Sequence, residues 1–187
     1  YRGRCTRMLD KLCCSPEFLI ATGRSINKER MEDQYVVLRA IAFLMLHRGE
    51  FKDIPALQYR GDIDDFLARF MVYVNDNAPE KLIVDYENLF IRCMQISYDL
   101  LGENGFRFSG NGIRRPINMP LFEALSYLFS FVPEKIDYTW ASRLILDIES
   151  VKEEFDDSRY FSGNIDSTTS VSFRFDRMDK IINRIQL

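Results

Sequence analysis

Glu29-Arg30-Met31-Glu32-Asp33-Gln34-Tyr35-Val36-Val37-Leu38-Arg39-Ala40-Ile41-Ala42-Phe43-Leu44-Met45-Leu46-His47-Arg48 is the stretch that decides the fold. Over residues 36–46 every side chain except Arg39 is apolar, so a helix here has almost no solvent face and must run through the middle of a domain. Asn27 or Ser25 is placed to cap its start, and Glu32 and Asp33 fall in the early turns where the helix dipole is positive. His47 and Arg48 fall where the dipole is negative, and Gly49 ends the helix. Arg39 cannot shed its proton, so burial obliges it to find a partner. An internal ion pair to one of the chain's acids is the plain expectation. Contact with phosphate or nucleic acid is the sharper one, because a guanidinium fork matches phosphate geometry.

A central helix needs a shell, and the flanking sequence provides amphipathic segments for one. Residues 6–14 place Met8, Leu9, Leu12 and Cys13 on one side; Ser15-Pro16-Glu17 then reads as a cap and first turn of a short helix closed by Gly23. After a proline-containing loop (residues 51–59), Ile63, Phe66, Leu67, Phe70, Met71 and Val74 recur at intervals of three and four behind Gly61-Asp62. Pro79 opens a long helix to about Leu101, ended by Gly102. Residues 116–132 are apolar on most faces and best suited to pack on the central helix, with Pro120 marking a bend or a restart. Residues 136–155 turn Trp140, Leu144, Ile145, Ile148 and Val151 inward. Residues 171–187 turn in Met178, Ile181, Ile182 and Ile185 and set Arg174, Arg177, Lys180 and Arg184 out as a basic stripe facing solvent. Seven or eight helices, with almost no alternating pattern, predict an all-α single domain around the buried helix at residues 29–48.

Composition narrows the function classes. A length of 187 residues supports one hydrophobic core, and 47% hydrophobic with 28% charged residues argues against disorder. The net charge of -3 makes no global case for nucleic acid or an acidic membrane, although seven Lys/Arg against three Asp/Glu in the first thirty residues give a weakly basic leading edge. The longest apolar run, residues 40–46, is far short of a bilayer span of about 20 residues, and no membrane partner is expected. Cys5, Cys13, Cys14 and Cys93 fit no zinc spacing, and His47 is the one histidine, so four reduced thiols, no metal and a cytoplasmic location are expected.

Two clusters merit a chemical reading. Residues 103–115 carry Gly105, Gly110 and Gly112 with Arg107, Arg114 and Arg115 between Phe106, Phe108 and Ile113. Glycines that admit close backbone approach, beside arginines, can form an anion site. The spacing is not that of a phosphate-binding loop, so a structural loop pinned by arginine pairs stands beside a ligand, DNA or interdomain contact. The acids Glu149, Glu153, Glu154, Asp156 and Asp157 at one helix end read as a solvated face rather than as catalytic carboxylates.

Arg30-Met31, Asp33, Leu38-Arg39 and Ala42-Phe43, then Tyr59, Gly61, Phe66-Leu67 and Met71, together with Gly102, Phe106-Arg107, Arg115-Pro116-Ile117-Asn118 and Leu121-Phe122-Glu123, resemble the helical half of the N-terminal domain of GmrSD-type restriction endonucleases. The resemblance runs over essentially the whole chain. It implies a larger parent protein in which a ParB/sulfiredoxin-like α/β part precedes Tyr1 and carries an Asp-Gly-Gln-Gln-Arg motif linked to nucleotide hydrolysis or nuclease action, in DNA restriction or phage defence. Neither that motif nor a His-Asn-His centre is in this sequence, so no catalytic residue transfers. The implied partners are the upstream ParB-like domain and DNA. Nucleoside triphosphate and divalent metal are expected in the parent protein and no cofactor in this chain. Arg39, Arg107, Arg114 and Arg115 are the candidate interdomain or nucleic-acid contacts. The alternative expectation is a stand-alone helical protein-protein interaction module.

Overall fold

The central apolar stretch forms a helix buried without a break over residues 36–45. The computed structural model describes residues 3–28, 31–110, 112–156, 158 and 160–185, and in these the chain is all-helical. The helices are α1 (Arg4–Cys13), α2 (Pro16–Ala21), α3 (Glu32–His47), α4 (Ile63–Asp76), α5 (Glu80–Leu101), α6 (Met119–Phe129), α7 (Tyr138–Asp156) and α8 (Thr168–Ile185), with 3-10 turns at Pro55–Leu57 and Gly102–Asn104.

The start of α3 differs from expectation. Its capping position is Met31, in the left-handed region at φ 56°, not Asn27 or Ser25, while Glu29 and Arg30 lie outside the described residues. Ser25 is used elsewhere: its hydroxyl donates to the Thr22 carbonyl and accepts from Arg107. Other ends follow local chemistry. Ser15, Asp62 and Asn118 cap α2, α4 and α6 with side-chain oxygens, each a preferred way to satisfy an orphan helix N–H. Pro120 falls in the first turn of α6, where its missing N–H costs nothing, so it marks a beginning and not a bend.

α6 is the second interior helix, buried from Pro120 to Phe129, and it packs on α3. Arg39 meets Glu123 and Arg48 meets Ser130, so the two helices run in the same direction. α8 packs on α6 in the same sense, with Arg174 at Glu123 and Asp179 at the Tyr127 hydroxyl, and its Phe175 also reaches α3. Parallel neighbours cannot be joined by a short turn, so α4 and α5 return the chain between α3 and α6, and α7 returns it between α6 and α8. Phe43 centres the aromatic packing of α3, with Tyr59, Phe66 and Phe175 rings 5.2, 5.4 and 5.7 Å away. Burying each such ring is worth roughly 1.5–3 kcal/mol. No described helix is long and apolar enough to cross a membrane.

Candidate functional site

Where α5 ends, the chain leaves the helix through Gly102 and makes a loop whose ends are tied by the Asn118 amide donating to the Phe106 carbonyl at 2.9 Å. Phe106 packs on Phe122 (4.3 Å between rings) and Phe108 on Phe161 (5.8 Å), so alternate loop residues anchor it to the core. Gly110 lets the loop fold back on itself: a Cβ there would stand 2.4 Å from the Ile113 carbonyl. The result is a cleft of about 690 Å³ between this loop and α7, its walls including Arg107, Arg114, Arg115 and Lys152 with Glu103 and Glu149.

Each cation is positioned differently. Arg107 is buried and donates to the carbonyls of Glu103, Arg115 and Thr22 and to the Ser25 hydroxyl. All four acceptors are neutral, so burial pushes its pKa down, aided by Arg114 and opposed by Glu103. Arg114, half exposed, reaches over Gly23 to pair with Glu103 at 3.1 Å. Arg115 lies over the Phe108 ring and bonds the Asp156 carboxylate of α7 at 2.5 and 2.6 Å through one nitrogen. Lys152, only 4% exposed, donates to the Asn104 carbonyl at 2.9 Å and stands 3.4 Å from Glu149. Burial lowers its pKa, with Glu149 opposing the shift.

Arg39 is not in the cleft. It lies in the core, where it bonds Glu123 of α6 through Nε and Asp166, in the loop before α8, at 2.6 Å. The Tyr35 hydroxyl accepts at 3.4 Å. The other oxygen of Glu123 accepts from Arg174 at 3.1 Å, and Arg174 also donates to the carbonyls of Ile165 and Tyr160. Glu123 and Arg174 are both 0% exposed. Two arginines and two carboxylates thus neutralise each other, as burial requires. This corrects the expected basic stripe of α8: Arg174 faces the core, between Val171, Phe175 and Met178, and Arg177 pairs with Glu154 at 2.7 Å. The acidic end of α7 is likewise not merely solvated, since Glu149, Glu154 and Asp156 each hold a cation; Asp157 lies outside the described residues.

Sequence reading found three of the cleft's four cations and missed Lys152, along with Glu123, Asp166 and Arg174. The signal for two of them was present. Ile148, Val151, Lys152 and Phe155 share one helical face, as do Val171, Arg174, Phe175 and Met178, so a charge interrupting an inward stripe marks a buried ion. Among the described residues no group of three or more His, Cys, Asp or Glu side chains is placed to hold a metal ion. No family model, curated protein or solved structure matches the chain.

Proposed function

We propose that this chain is a non-catalytic helical domain of a GmrSD-like, ParB-like nuclease or nucleotide-hydrolysing protein of DNA restriction or phage defence, working from the cytoplasm. In this role it offers the arginine-lined cleft to DNA beside the catalytic part. What supports the reading is the convergence of Arg107, Arg114, Arg115 and Lys152 on one concavity in a chain whose net charge is negative. Nucleoside triphosphate and divalent metal belong, on this view, to the upstream ParB-like domain.

Titration of DNA at low and moderate salt tests it. Binding is expected to be weak and salt-dependent, and replacing Arg114 or Arg115 by glutamine should each lower the slope of log affinity against log salt by about one. Tight binding that persists at high salt, or turnover of nucleoside triphosphate that survives re-purification, overturns it.

A shallow apolar groove of about 340 Å³ between the Pro55–Leu57 turn and α4, where Val72 is 57% exposed, favours a second reading as a protein-protein interaction module. DNA affinity indifferent to the arginine substitutions, together with loss of a partner on replacing Val72 by aspartate, would favour that alternative.

A further inference from the structure

We infer that the cleft between the arginine loop and α7 is a binding site for a phosphomonoester dianion, gripped by Arg114 and Arg115 at the rim and Lys152 at the floor. The assignment rests on the cleft being an anion surface, and adds which anion it takes and where.

Shape is the first ground. A concavity of about 690 Å³ has the size of a small-molecule pocket, typically about 300–1,000 Å³. Lys152, 4% exposed, suits a strand end or a small ligand entering the concavity better than a continuous duplex backbone passing over it.

Donor supply is the second. A phosphomonoester presents three strongly accepting oxygens and a charge near -2 at neutral pH, so it needs several N–H groups converging from different directions. Arg115 bonds its carbonyl and carboxylate partners through one nitrogen, Nη1, leaving Nε and Nη2 uncommitted among the described residues. Arg114 has its 3.1 Å ion pair with Glu103 and no hydrogen bond among the described residues. Lys152 has three N–H donors, of which one goes to the Asn104 carbonyl and one to Glu149 in a long bond of 3.4 Å, leaving a third for a ligand.

Charge is the third. The cleft wall carries four cations and two carboxylates, with Asp156 behind it steadying Arg115. Arg107 contributes positive charge that no carboxylate bonds among the described residues, and four of its five N–H donors hold the loop, so it attracts the anion without being displaced by it. An entering phosphate has to outcompete Glu103 and Glu149 for Arg114 and Lys152. A dianion does so better than the single charge of an internal phosphodiester.

The chemistry is shared by a 5′-phosphorylated strand end and by a free mononucleotide or inorganic phosphate, and calorimetric titration of the full chain separates them. The probes are a short single strand with a 5′-phosphate, the same strand with a 5′-hydroxyl, a nucleoside 5′-monophosphate and inorganic phosphate. The phosphorylated strand is expected to bind roughly tenfold more tightly than the hydroxyl strand, the worth of one or two charge-assisted hydrogen bonds. R114Q, a half-exposed position that leaves the core untouched, should abolish the preference, and K152M should do the same if the variant folds. Equal affinity for the two strands, with the mononucleotide and inorganic phosphate not bound, overturns the monoester site while leaving a DNA-facing cleft standing. Binding of mononucleotide or phosphate that R114Q removes, with no strand bound, supports the site and overturns the DNA reading. A preference that survives R114Q overturns the assignment, and no binding of any probe overturns both.

Discussion

Arg39 and Glu123 are the single charged residues in the two interior runs, residues 36–45 of α3 and 120–129 of α6, and they meet across the helix interface. Burial alone would lower the pKa of Arg39, but the charge of Glu123 and the bonds to Asp166 and Glu123 outweigh it and raise the value. Both groups have surrendered their hydration, so each depends on the other. Arg174 and Asp166 complete the charge balance, which makes one cluster responsible for locking three parallel helices in register.

Replacing Glu123 by glutamine or alanine should therefore cost about 3–5 kcal/mol, because the buried Arg174 loses its carboxylate partner and Arg39 keeps only Asp166. Replacing Arg39, Glu123 and Arg174 by methionine, leucine and methionine, with Asp166→Asn so that no carboxylate is left without its cation, should restore most of the loss. Denaturant melts of the single and combined variants check this; a single variant of unchanged stability would contradict the buried pair.

Stability should fall with acid through His47. Its ring is stacked 3.6 Å from Phe175, and burial, then the charge of Arg174, push its pKa down to about 3 from 6.5. Below about pH 6.5 the unfolded chain takes up a proton that the folded chain refuses. The contribution is thus fully present above that pH and lost on acidification toward 3, at about 1.4 kcal/mol per pH unit. His47→Phe keeps the stack and should flatten this part of the profile in melts compared at pH 7 and pH 5.

Asn118 ties three segments: its side-chain oxygen accepts from the Leu121 amide at 2.9 Å, its side-chain nitrogen donates to the Phe161 carbonyl, and its amide bonds Phe106. Asn118→Ala should cost about 1–2 kcal/mol, whereas Asn118→Asp keeps the cap and should lose less. Equal losses from the two would show that the cap is not what matters.

Gly23 sits at φ 61° beneath the Arg114 guanidinium, and a Cβ there would lie 1.9 Å from Nη2. Gly23→Ala should displace Arg114 from Glu103 and strain the backbone by about 1–2 kcal/mol. Thermal melting reads the strain, and, on the proposed DNA-binding role, the salt slope of any binding reads the displaced arginine.

Thiol labelling should distinguish Cys14 from the rest. Cys14 is exposed, while burial raises the thiol pKa of Cys5 to about 11 and of Cys13 and Cys93 to about 12. One thiol should react quickly with an alkylating reagent in the native protein and all four in denaturant. Rapid labelling of Cys93 would be incompatible with its place in the core.

The sequence by itself determined the helices and which of them lies inside. Periodicity, caps and breakers act within a few residues, so the spacing of Ile63, Phe66, Leu67 and Phe70 or the apolar run after Tyr35, interrupted by Arg39, carries its meaning locally. Only the tertiary structure decided which charges meet. Arg39 finds Glu123 84 positions away and Asp166 127 positions away, and the cleft's Lys152 comes from a helix that begins beyond the arginine loop. Such pairings depend on how whole helices pack, because a charge's energy depends on what displaces the water around it, and no neighbour in sequence settles that.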